Sequence, residues 1–201
     1  MEETAKKLYS NLQYHNFQHA LDVAKKGLKI SEICEKEGIL VDKNVVYISL
    51  LFHDAGYHEN HIEKGFKTKE EYSAHLAENN LKDLGFNKSF IKKVKKAIIS
   101  THKDLKFSST EEKIVRSADL SGLASGFPVF LKNNKNLKKE FEMIHNIKIS
   151  WDLWKEKTKE IIRFYLSQDI KLTSKYYNKK GKSIFHEKAR KNLNKFLKEK
   201  L

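Results

Sequence analysis

Val45-Val46-Tyr47-Ile48-Ser49-Leu50-Leu51-Phe52 is a run with almost no polar relief, and it leads straight into His53-Asp54. A carboxylate at the end of such a run is costly to remove from water unless something compensates its charge. A divalent cation held by imidazole and carboxylate is the natural compensator. The run itself reads as a buried helix, with Asp42 placed to cap its start. Sustained two-residue alternation is absent here and elsewhere in the chain, and helical spacing recurs instead.

Working outward, Gln18, Asp22, Lys25, Lys29, Glu32 and Lys36 form one polar stripe from Asn16 to about Lys36. Phe17, Ala20, Leu21, Val23, Ala24 and Leu28 cover the rest of that helix, which is therefore largely buried. It carries His19. A third helix is predicted over Lys69–Leu84, ended near Gly85, and a fourth over Ser89–Thr101. Thr110, followed by Glu111 and Glu112, reads as the start of a fifth. This one carries Ile114, Val115, Ala118, Asp119 and Leu123. Gly126-Phe127-Pro128 then punctuates the chain. Helical candidates follow at 129–145, 150–168 and 184–200, with 179–182 as a solvated loop. The fold class is all-α. His19, His53-Asp54 and Asp119 lie on three different helices. Singly, each has an ordinary explanation, since a buried histidine can satisfy a carbonyl and an aspartate can cap a helix. The sequence leaves their convergence open.

With 201 residues the chain is long enough for a substantial core. One cysteine, Cys34, excludes an internal disulfide and suits a reducing compartment. Met1-Glu2-Glu3-Thr4-Ala5-Lys6-Lys7 lacks the apolar region of a signal peptide, and no apolar stretch is long enough to span a bilayer. A cytoplasmic chain with no membrane partner is expected. The formal net charge is +14, yet only three of the forty basic residues are arginine: Arg116, Arg163 and Arg190. Nucleic-acid readers lean on arginine for bidentate contacts. The excess of lysine therefore reads as composition and surface solvation, with nothing beyond weak non-specific nucleic-acid binding expected.

Four segments together carry a family resemblance. Tyr14 to Val23 (YHNFQHALDV) resembles the opening motif of cyclic-nucleotide phosphodiesterases and of small bacterial HD hydrolases. Leu50 to Tyr57 (LLFHDAGY) resembles the central HD motif. Glu71 to Leu84 (EYSAHLAENNLKDL) and Ser117 to Leu123 (SADLSGL) follow in the same order. The chain thus resembles the HD-domain superfamily of metal-dependent phosphohydrolases over roughly residues 12–125, and not beyond. The resemblance implies a single all-α domain. Its HD-type helical bundle would hold the metal-site core at about 12–125, with additional C-terminal helices over about 126–201.

By that resemblance His19, His53, Asp54 and Asp119 are the metal ligands, and Asp54 bridges two ions where the site is binuclear. One or two divalent ions per chain are implied, from Mn, Mg, Zn, Fe, Co or Ni. Such a site activates water and neutralises phosphoryl oxygens. In the phosphodiesterases that YHNFQH resembles, the first histidine protonates the leaving oxygen, a role that falls on His15. Two placements are open for it. An early helix start puts it on one face with His19, whereas capping by Asn16 leaves it just outside the first turn. Glu70 and Glu71 stand where relatives have a glutamate-rich helix start. Some binuclear relatives carry a histidine just before this glutamate, and here that residue is Lys69. His75 and His102 are the remaining candidates for a second metal, with Glu70 beside them. Lys64, Lys67 and Arg116 are candidate phosphate contacts. Tyr14, Phe17 and Tyr57 suit base stacking or helix packing equally.

The expected activity is hydrolysis of a phosphomonoester or phosphodiester in a small phosphorylated substrate, with nucleotides the leading class. The catalytic residues would be His15 and Asp54. Two other classes stay open: a diiron HD-type oxygenase, which would need His75 and His102 as further ligands, and a catalytically silent HD binding module.

Overall fold

The computed structural model describes residues 1–104, 106–168 and 170–200. Its helices are α1 (Glu2–Lys6), α2 (Phe17–Lys36), α3 (Lys43–Phe52), α4 (Lys69–Asp83), α5 (Lys88–Ile99), α6 (Thr110–Asp119), α7 (Phe127–Ile144), α8 (Trp151–Leu166) and α9 (Ile184–Lys198). Short 3-10 turns cover Leu120–Ala124 and Ser174–Tyr176. Among the described residues no strand forms, and a lone bridge joins Tyr177 to Ser183. The all-α class follows directly. None of the described helices is long and apolar enough to cross a membrane.

The helices divide into two compact units, Met1–Asp119 and Leu120–Leu201. In the first, α3 is the hub and packs against α1, α2, α4, α5 and α6. That position explains its composition. Val45, Val46, Leu50, Leu51 and Phe52 are wholly buried, so a helix without a polar face is stable only with neighbours all round. Gly27 lets α2 approach closely, because a Cβ there would come within 2.9 Å of Val46 Cγ1. Side-chain caps fix the helix starts. Asn16 accepts from His19 N at 3.0 Å, Asp42 from Val45 N at 3.3 Å, Thr68 from Glu71 N at 3.1 Å and Asn87 from Phe90 N at 2.9 Å. Each such cap contributes about 1 kcal/mol.

The second unit has its own core of Phe130, Trp154, Ile162, Leu193 and Phe196. Within it, Asn192 donates to the carbonyls of Leu123 (2.9 Å) and Ser125 (2.8 Å), fastening the Leu120–Ala124 turn to α9.

Three boundaries differ from the sequence expectation. The fifth predicted helix stops at Asp119 and tightens into a 3-10 turn, so Leu123 lies outside it. The next helix starts at Phe127, not 129, and takes Pro128 into its first turn. Proline is tolerated there because the first-turn N–H groups have no intrahelical partner. Finally, α1 has no counterpart in the sequence reading. At five residues it is too short to give a periodicity.

Candidate metal centre

The last turn of α3 delivers His53 into the core, with its side chain 1 % exposed. Its Nδ1 lies 2.8 Å from the Leu50 carbonyl. A carbonyl only accepts, so Nδ1 carries a proton and donates, and Nε2 points the other way. Nε2 faces two carboxylates: Asp54 Oδ2 at 2.9 Å and Asp119 Oδ1 at 3.6 Å. His19, in the first turn of α2, brings its Nε2 to 3.8 Å from the same Asp54 oxygen. The sequence motif at 16–19 sets this position. Asn16 caps the helix through His19 N and also donates to the Leu12 carbonyl at 2.9 Å.

His19 Nε2, His53 Nε2 and Asp54 Oδ2 are all buried, and none has a hydrogen-bond partner. The 2.9 Å approach of His53 to Asp54 is a charge contact without hydrogen-bond geometry. Three ligand atoms, all within 4.8 Å of one another, thus meet at one point. Buried acceptor atoms aimed at each other repel unless a cation or proton sits between them. Charge in the site responds accordingly. Burial pulls the His19 imidazole down to about 4, which keeps it neutral and able to ligate. Burial also disfavours charge on His53, but the Asp54 carboxylate and then Asp119 overrule it and hold the imidazole well above its ordinary value. Asp54, pushed up by burial, is brought below the usual carboxylate range by His53 and His15. The pocket demands a positive charge beside Asp54.

The family model of the HD domain matches residues 16–121, just over half of the chain. The chain belongs to the HD-domain family. A search of curated proteins found no match. Among solved structures the chain is similar to LmjPDEB1 in complex with IBMX, with 14 % identity and a TM-score of 0.63. That alignment covers 98 % of this chain and 77 % of that one, and the likeness is one of fold.

HD domains typically bind divalent metals, and the residues here fit such an ion. The orphaned donors are two neutral-capable imidazole nitrogens and one carboxylate oxygen, the donor set that suits a divalent transition ion. Asp119 stands just outside this group, with its carboxylate turned toward His53.

The other predicted residues divide sharply around the HD pair. Asn16 is the cap, so His15 lies outside the first turn of α2. It does not share a helix face with His19. Its ring stacks on Tyr57, centroids 3.8 Å apart at 17°, and stands 6.0 Å from the His19 ring. Tyr14 packs edge-on against His15 at 4.9 Å. Among the described residues, Glu70, His75 and His102 do not join the donor group. His75 packs against Phe66 and meets Asn79 at 3.0 Å. Lys64 pairs with Glu59 at 3.2 Å, and Lys67 is exposed. Arg116 corrects the sequence expectation. It is wholly buried, and its guanidinium donates to the carbonyls of Ser100 and His102. It closes the end of α5 and has no exposed face for a phosphate.

Two features were missed. The Tyr9 hydroxyl donates to Leu51 O at 2.9 Å, in the turn that presents the HD pair, and Gly56 N donates to Leu8 O at 3.0 Å. The segment before α2 thereby braces the site. No sequence signal marks Tyr9. Lys69, noted only as a departure from the family, lies 3.5 Å from the Tyr57 ring centroid.

Proposed function

We propose that this chain is a metal-dependent phosphohydrolase acting on a phosphomonoester or phosphodiester. The substrate is a small phosphorylated molecule, with nucleotides the leading class. The convergence of three orphaned donors, His19 Nε2, His53 Nε2 and Asp54 Oδ2, carries the reading. Membership of the HD family and the fold likeness to LmjPDEB1, which is described with the small molecule IBMX, support it.

His19, His53 and Asp54 would hold a divalent cation, with Asp119 as a second carboxylate at the rim. When bound, the cation supplies a polarised water and neutralises phosphoryl charge. The chain's own residues do the rest. His53, fixed by its bond to Leu50 O, keeps one tautomer and one ring plane. Asp54 supplies the local negative charge that retains the cation. His15, half-buried beside the donors, gives a proton to the departing oxygen. The diiron oxygenase reading is less well supported, since the further histidines it needs, His75 and His102, stay outside the donor group.

The test is a panel of phosphomonoesters and phosphodiesters, including nitrophenyl esters and nucleotides, offered with each divalent cation in turn. Cation-dependent release of alcohol is expected, with phosphate as the other product from a monoester and a phosphomonoester from a diester. A protein that binds the cation yet turns over no phosphoester would refute the reading.

A further inference from the structure

His15 is held by a stack that joins its own motif to the end of the HD motif. Tyr57 lies parallel to the imidazole at 3.8 Å, and the Lys69 ammonium lies 3.5 Å from the centroid of the same tyrosine ring. Both approach distances place their groups over a ring face, and one face cannot accommodate both. The tyrosine is therefore clasped between imidazole and ammonium.

Three local features build this clasp. Gly56 takes a left-handed backbone, φ 72°, directly after the His53-Asp54-Ala55 turn and so redirects the chain at Tyr57. Tyr57 N then donates to Asp54 O at 3.1 Å, tying the tyrosine to the residue that carries the site's charge. Thr68 caps α4 through Glu71 N and fixes Lys69 as the first residue of that helix. A cation over an aromatic face contributes more as the pair is withdrawn from water, and Lys69 is partly buried.

We propose that Tyr57 is the positioning residue for His15, and that Lys69 clamps Tyr57 from the opposite face. The role rests on the phosphohydrolase reading, in which His15 delivers a proton. A proton donor must lie within hydrogen-bond reach of the leaving oxygen, and a displacement of about 1 Å costs up to ~10²-fold in rate. His15 lies in a loop ahead of its helix, so helix geometry does not fix its ring. The stack does.

Two readouts test this. The first is NMR of the His15 ring protons, assigned by their loss in His15→Ala. The Tyr57 ring current shifts them upfield in the native protein. Tyr57→Leu should remove most of the shift, Tyr57→Phe should retain it, and Lys69→Met should reduce it. The second is a double-mutant cycle in kcat on a substrate with a poor leaving group. Tyr57→Leu should lower kcat about 10- to 100-fold, with KM and metal content little changed, and Tyr57→Phe should restore most of the loss. In the His15→Ala background, Tyr57→Leu should cost nothing further. Ring signals unmoved by Tyr57→Leu, or losses that add in the double variant, overturn the positioning role. Turnover with additive losses overturns that role alone. Intact stack signals without any phosphoester turnover overturn the phosphohydrolase reading and the role together.

Discussion

Nε2 of His53 stands 2.9 Å from Oδ2 of Asp54, and neither buried atom makes a hydrogen bond. Adjacent residues make this contact because the end of α3 turns both side chains to the same point, with Nδ1 of His53 already committed to Leu50 O. The pair is stable only around a positive charge, and that requirement organises the rest of the site.

His15 and His19 should separate in function. His15→Ala should retain bound cation and lower turnover by ~10²–10⁴-fold, the range for loss of a general acid. A nitrophenyl ester, whose leaving group needs little protonation, should suffer much less. His19→Ala should lose cation and turnover together. Equal losses on activated and natural esters in His15→Ala would remove His15 from the chemistry. Steady-state kinetics on the two substrate types, with metal analysis of each variant, decides it.

Gly56 and Gly38 both have left-handed backbones, at φ 72° and 76°. A side chain at Gly38 meets open space, whereas a Cβ at Gly56 would lie 2.6 Å from Tyr72 Cε1 and 2.7 Å from Leu76 Cδ1. Gly38→Ala should cost about 1–2 kcal/mol from backbone strain alone. Gly56→Ala should cost about 1–3 kcal/mol more from overpacking. Urea unfolding of both variants measures the difference.

The helices from α2 onward and the HD pair were legible in the sequence because each has a strong local signature: polar stripes, a cap at Asp42, and a carboxylate ending an apolar run. The rest depends on contacts between distant segments. Tyr9 and Leu51 are far apart in sequence, and nothing in either residue type predicts their bond. Arg116 looked like a phosphate ligand because its charge lies near Asp119 in the chain. One helix turn separates the two side chains, and the carbonyls that bind Arg116 come from the end of α5. The placement of His15 turned on one bond, that from His19 N to Asn16.

Glu78 should contribute to the acid response. Lys82 on its own helix and Lys95 on α5 hold its carboxyl down to about 2, from an ordinary 4.5. A carboxyl depressed by folding stabilises the native state above its unfolded value. That contribution is lost as pH falls from about 4.5 through about 2. Glu78→Gln should therefore be less stable at neutral pH, and its stability should fall less over that acid window. Chemical unfolding at several pH values checks the slope. Identical slopes in both proteins would remove the Glu78 contribution.

The net charge of +14 permits two outcomes. Screening acts on encounter more than on chemistry, so kcat/KM for an anionic ester should fall with ionic strength while kcat holds nearly constant. Duplex DNA or RNA should be retained only at low salt. Sequence-dependent nucleic-acid binding that survives ~200 mM salt would favour a nucleic-acid substrate over a small one. A salt titration of kinetics and binding distinguishes them.

The most direct measurement is metal content per chain on protein purified without chelator, for the native sequence and for Asp54→Ala. One or two divalent ions per native chain are expected, at least one of them at the His19, His53 and Asp54 donors. None is expected in Asp54→Ala, with a lower melting temperature because bound cation contributes folding free energy. Full metal occupancy in Asp54→Ala, or a native protein that takes up no divalent ion from any of those offered, would contradict the account.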